Sequence, residues 1–206
     1  MMSQISWNLV LENGLYFLAL LNPASKVMFL ATYEPKLTRQ QVWELSWKSS
    51  LAALVILTVL AGTGEIILSK IFRVDLYSLK ITGGIVLFLI GLAAVREGRF
   101  INRTEHQIRQ NFTDLSLVPL AAPLIAGPGT IAASISGAAQ HGLMTVSLSL
   151  TGAILINFVL MLFSIGINHL LEKLHLLGPL IRLTGLIISA VAVQMVIAGC
   201  KECGLF

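Results

Sequence analysis

The sequence predicts an all-α integral membrane protein in which six transmembrane helices form two inverted three-helix repeats, with spans 1 and 4 broken at Pro23 and Pro128. Three observations lead there. Of 206 residues, 56% are hydrophobic and 12% charged, about half the roughly 25% charge of a soluble domain. The apolar residues gather in six runs, near residues 5–32, 49–69, 77–95, 115–137, 143–168 and 181–199, and a bilayer core takes about 20 apolar residues per helical span. Proline-centred interruptions fall at matched places in the first and fourth runs. Such runs are too long for strands and too apolar all round for the surface helices of a soluble fold. Soluble enzyme, secreted disulfide scaffold and disordered chain are poor fits.

Span 1 carries Leu21-Asn22-Pro23-Ala24-Ser25-Lys26. Proline has no N–H and clashes with the carbonyl four residues back, here that of Ala19. It also pushes the preceding residue out of helical geometry. Asn22 suits an N-cap and Pro23 the first position of a new helix, so the helix stops and restarts. Span 2 reads as continuous, with Glu65 near its end, and Lys80-Ile81-Thr82-Gly83 opens span 3. Span 4 contains Pro119, Pro123 and Pro128 within Ala126-Gly127-Pro128-Gly129-Thr130. There Leu124 loses its bond to Pro128, and Gly127 serves as the second N-cap. Span 5 holds Asn157, and Arg182-Leu183-Thr184-Gly185 opens span 6.

The openings of spans 3 and 6 repeat at an offset of 102 residues, as do Gly64 and Gly166. Pro23 and Pro128 are 105 apart, with Ser25 matched by Thr130, and a three-residue loop difference reconciles the offsets. Three spans is an odd number, so the second half must enter from the opposite side, the inverted repeat found in many secondary transporters. The chain thus divides into repeat one (1–95), a charged cytoplasmic loop (96–114) and repeat two (115–206). Alternate loops carry nine Lys or Arg against four. The richer side is cytoplasmic and both termini face the periplasm. Lys26 is the first basic residue, so the first run lacks the basic start of a cleaved signal peptide and is expected to stay.

A helix that restarts leaves its first amides unpaired: those of Ala24, Ser25 and Lys26, and of Gly129, Thr130 and Ile131. These attract anions such as a carboxylate, while carbonyls freed before the break favour an ammonium or cation. Bare backbone survives in a bilayer only where it lines protein or a wet cavity. The candidate substrate site is therefore Asn22, Pro23, Ala24 and Ser25 with Gly127, Pro128, Gly129 and Thr130. Ala24, Gly127 and Gly129 leave room for short side chains, and Ser25 and Thr130 supply hydroxyls. Glu65 and Lys26 are the candidate coupling residues, since ionisable groups inside spans are functional candidates. Yet Glu65 is near a span end, able to snorkel or meet Lys70, and Lys26 either supports an anionic substrate or reaches the cytoplasmic interface. Glu12, Asn157, Asn168 and Gln194 are the other intramembrane polar residues; Asn157 and Gln194 suit interhelical hydrogen bonds.

No cofactor, metal or nucleic-acid partner is expected, and no enzymatic activity. The basic residues, net +4, lie in loops rather than along a binding stripe. No phosphate-binding Gly-x4-Gly-Lys-Ser/Thr, nucleophile elbow or His-Glu-x-x-His is present. Cys200 and Cys203 form one tail pair without further zinc ligands. The expected partners are the lipid bilayer, a small-molecule substrate and a coupling ion or proton.

Asn22-Pro23 with Phe29-Leu30, and above all Pro119-Leu120-Ala121-Ala122-Pro123-Leu124-Ile125-Ala126-Gly127-Pro128-Gly129-Thr130-Ile131, resemble the MarC family of bacterial inner-membrane proteins. Thr82-Gly83-Gly84-Ile85 and Thr184-Gly185-Leu186 through Gln194-Met195 extend the resemblance over nearly the whole chain. It implies a six-span protein of a family named for a multiple antibiotic resistance locus, with relatives that transport small neutral amino acids such as glycine and alanine. The first motif departs from the family's Asn-Pro-x-Gly-x-x-Pro: Ala24, Ser25, Lys26, Val27 and Met28 follow, so a basic residue enters the break. The expected function is secondary, gradient-coupled transport of such an amino acid. The alternatives are a transporter or exporter of another small solute or drug, and a non-transporting membrane scaffold docking partners on the charged loop.

Overall fold

The computed structural model describes residues 6–31, 37–98, 125–164, 166 and 177–204. Pro119, Pro123, Leu124, Asn168 and nearly all of the charged loop lie outside them. The described residues form seven helices: α1 (Trp7–Leu21), α2 (Pro23–Ala31), α3 (Arg39–Ile66), α4 (Leu76–Glu97), α5 (Pro128–His141), α6 (Leu143–Leu162) and α7 (Leu177–Glu202). A π-helical turn, Ile67–Phe72, prolongs α3. Four helical stretches are long and apolar enough to cross a bilayer: Arg39–Phe72, Leu76–Glu97, Leu143–Leu162 and Gly178–Glu202. The protein is an integral membrane protein with several apolar helices.

The first run is two helices, α1 and α2, meeting at Asn22, and α5 is the part of the fourth run that follows its last proline. Helix α3 begins ten residues before the apolar run that announced it. The cause is local: Thr38 accepts from the Gln41 N–H while the Gln41 side chain accepts from the Thr38 N–H. This reciprocal cap satisfies two donors and fixes the helix start in the polar flank.

Lipid-facing surface and core separate by helical period. On α3, Leu51, Val55 and Val59 are exposed, whereas Ala53, Leu57 and Ala61 are buried. Trp7 lies at one end of the protein, with Trp43 and Trp47 near the other, all more than half exposed, as expected of interfacial aromatic belts. One continuous core joins Phe17, Leu20 and Leu21 of α1 to Leu57, Leu87, Ala133, Leu150, Met161 and Ala192.

The closest helix pair is α4 with α7, antiparallel from Lys80–Glu202 at one end to Gly98 beside Arg182 at the other. Its seam is built of small residues. A Cβ on Gly91 would stand 2.8 Å from the Gly185 carbonyl oxygen, and one on Gly185 would stand 2.8 Å from that of Gly91. Gly84 and Gly199 meet the partner helix backbone in the same way. Lipid tails supply no hydrophobic drive between helices, so close backbone approach through small residues holds such pairs by dispersion.

Candidate functional site

The break in the first run is closed largely by its own residues. Asn22 adopts the left-handed conformation (φ 48°, ψ 73°) and ends α1. Few L-residues tolerate this region, and asparagine is among those that do. The Asn22 N–H donates to the Ala19 carbonyl (3.2 Å) and the Leu18 carbonyl (3.1 Å), so the group that Pro23 would have orphaned is satisfied. The Ser25 N–H and Oγ both donate to the Asn22 carbonyl, at 3.1 and 2.8 Å. Ser25 therefore has no free first-turn amide to offer, contrary to the expectation from the sequence. Lys26 reaches back across the break and its Nζ donates to the Leu21 carbonyl. The freed carbonyl end is thus met by the chain's own amine.

The second break keeps more of the expected form. Gly127 is extended (φ −66°, ψ 164°), and Pro128 begins α5. The Ile131 N–H is taken by the Gly127 carbonyl (2.9 Å), which removes one of the three expected amides. Gly129 and Thr130 are buried at the helix start. A Cβ at Gly129 would lie 3.1–3.3 Å from Leu87, so its open side is filled by α4. Gly127 has no described atom within 4 Å of its Cβ position and is the roomier glycine.

A cleft of about 250 Å³ runs between α1, α4, α5 and α7. Asn13, Tyr16, Lys80, Ser136, Gln140 and Gln194 give it polar walls, and Phe17, Ala133 and Met195 also line it. Phe17 and Ala133 are each about one turn from the adjoining break. None of residues 22–25 or 127–130 lines it. At its rim Glu202 accepts from Lys80 Nζ and from Gln140 Nε2 (2.6 Å), tying the end of α7 to α4 and α5. Glu65 sits elsewhere, exposed in the last turn of α3. Glu12 is likewise exposed.

Sequence reasoning missed a set of buried hydroxyls. Ser46 Oγ and Ser50 Oγ on α3 and Ser164 Oγ just beyond α6 are buried with no hydrogen-bond partner among the described residues, as is the Oδ1 of Asn157, which the sequence had marked as polar. Asn157 is fully buried, its Nδ2 donating only to the Met161 sulfur at 3.3 Å. An unsatisfied buried polar group costs about 1–3 kcal/mol. The visible signal was Ser46, Ser49 and Ser50, whose spacing puts them on one helical face.

Residues 7–203 match the family model for MarC family integral membrane proteins. The chain belongs to the MarC family. It is 33% identical over 190 residues to UPF0056 membrane protein PH0214 of Pyrococcus horikoshii, covering 92% of each chain. It is 34% identical to UPF0056 membrane protein MJ1677 of Methanocaldococcus jannaschii, over 89% of this chain and 91% of that one. UPF0056 membrane protein YvbG of Bacillus subtilis is 31% identical, over 91% of each. No solved structure matches. Archaea and bacteria both supply these MarC relatives, and the printed names describe membrane proteins without a stated substrate.

Proposed function

We propose that this MarC-family protein is a secondary transporter of small neutral amino acids of the glycine and alanine class, driven by an ion or proton gradient. In this reading it has six spans in two inverted repeats, with α1–α2, α3 and α4 answering the fourth run with α5, then α6 and α7. It sits in a bacterial inner membrane with both termini in the periplasm, and the polar cleft is the outward approach to the breaks. The observation that carries it is the interrupted helix Trp7–Ala31, turned at a left-handed Asn22 inside an apolar core. Such interruptions at membrane depth survive where they are buried in protein or line a wet cavity, and secondary transporters use them in the second way. Of the two coupling candidates, buried Lys26 suits the role better than exposed Glu65.

Uptake of labelled glycine or alanine by proteoliposomes tests the proposal, comparing the native chain with Gly127→Val. Gly127 has an ordinary φ and no described atom within 4 Å of its Cβ position, so among the described residues the larger side chain displaces no packed neighbour. Uptake is expected to fall at least tenfold with unfolding temperature unchanged; equal uptake by both chains removes the break from the pathway. Gly129→Leu would be a poorer choice, because Leu87 already occupies that side.

A further inference from the structure

A second hollow, a groove of about 390 Å³, lies between the start of α3 and the end of α6. Its described lining is Arg39, Val42, Trp43, Leu162, Phe163 and Gly166, so one charged residue stands over an otherwise apolar trench. Trp43 and Phe163 are 55% and 63% exposed, which puts the groove on the lipid-facing surface rather than in the core. Gly166 presents no side chain, and no described atom comes within 4 Å of its Cβ position. The groove shares no lining residue with the polar cleft.

The trench has a charged outer end and an apolar inner one. The reciprocal cap at Thr38 makes Arg39 the first residue of α3. Arg39 and Trp43 are four residues apart and share one face of that helix, with Arg39 about 6 Å farther out. Trp43 packs edge-on against Phe158 of α6, ring centroids 5.5 Å apart, so the indole is braced at the groove wall. Indoles near the ends of spans mark the headgroup boundary. The guanidinium, one turn beyond, therefore stands at the depth of lipid phosphates. A guanidinium stays charged in proteins and forks two N–H donors onto a phosphate. Among the described residues the ion pairs are Lys48–Glu44 and Lys80–Glu202, so no carboxylate there takes up Arg39.

We infer that this groove binds an anionic phospholipid, its phosphate held by Arg39 and an acyl chain laid along Trp43 and the apolar wall. The lining selects the occupant. A free anion would meet one guanidinium and gain nothing from the trench. A zwitterionic lipid carries a cation of its own back towards Arg39. An anionic lipid brings net negative charge and an apolar chain together. Basic pockets between spanning helices take anionic headgroups in this way. The site stands apart from both helix breaks and does not depend on whether the protein transports.

Quenching of Trp43 fluorescence by brominated lipid tests this at the groove itself. The chain has three tryptophans. Trp7→Phe and Trp47→Phe, both at exposed positions, leave Trp43 as the reporter in the otherwise intact chain. The chain is reconstituted in mixtures of phosphatidylcholine and phosphatidylglycerol, with one or the other brominated. Trp43 is expected to favour phosphatidylglycerol roughly fivefold, the effect of about one basic residue near an anionic surface. Arg39→Gln, which leaves the Thr38–Gln41 cap in place, should abolish the preference, and Arg39→Lys should keep part of it. Lys201→Gln, which removes an exposed cation at the opposite end of the protein, should change nothing. Inorganic phosphate should not displace the brominated lipid. The inference is overturned if the two lipids quench Trp43 equally, or if the preference survives Arg39→Gln. Equal loss of the preference in Lys201→Gln would reduce it to overall charge, and displacement by inorganic phosphate would make the groove a site for free anions; either result also overturns it.

Discussion

At the scale of single residues, Asn22 decides how the first run is interrupted. Its left-handed backbone costs an ordinary L-residue roughly 1–2 kcal/mol, and asparagine and glycine escape most of that. Asn22→Ala should therefore lower unfolding stability by about 1 kcal/mol, whereas Asn22→Gly should leave it nearly unchanged; reversible unfolding in detergent measures both. If alanine is tolerated as well as glycine, the conformation is not what holds the break. The break itself was legible, because a proline's missing donor acts on its immediate neighbours. What closes it was not. That the Asn22 N–H caps the Ala19 carbonyl, and that Lys26 folds back on Leu21, depends on rotamers and on a left-handed turn. Ser46 and Ser50 flank the start of the second apolar run, and only the packing of α3 in the bundle makes them buried hydroxyls without a partner among the described residues.

At the scale of elements, the α4–α7 seam makes a sharp prediction. Gly91→Leu puts its Cβ 2.4 Å from Ser189 Oγ and 2.8 Å from a carbonyl oxygen, so the two helices must separate. Overpacking of this kind costs about 1–3 kcal/mol, to be read as a lowered midpoint in thermal or denaturant unfolding. Gly152→Ala, at an exposed position of α6 with no described atom near its Cβ site, should leave the midpoint unchanged or slightly raised. Equal loss from both substitutions would mean that the seam is not the tight contact. The helices could be found from apolar runs, since burial in lipid demands length and hydrophobicity. Their ends were less legible: α3 starts at a polar capping box that hydrophobicity does not register. Which glycines are open and which are filled could not be read from spacing, because Leu87 approaches Gly129 from a different helix.

At the scale of the whole molecule, the ends of the helices sort into two groups. His141, Gln140 and Glu202 lie at the end with Lys80, whereas Glu97 lies at the other with Gly98 and Arg182. The loop charges predict that the first group faces the periplasm. With Cys200 and Cys203 replaced by serine, His141→Cys should react with an impermeant thiol reagent on intact cells, and Glu97→Cys only after permeabilisation. The opposite pattern would invert the orientation; both residues are exposed, so neither result reflects burial. Mutual backbone contact along α4 and α7 has a mechanical corollary. With no side chain between them at Gly91 and Gly185 to rearrange, the two helices must travel together like a keel. Under the proposed transport function, any movement between two states then falls to elements outside this pair.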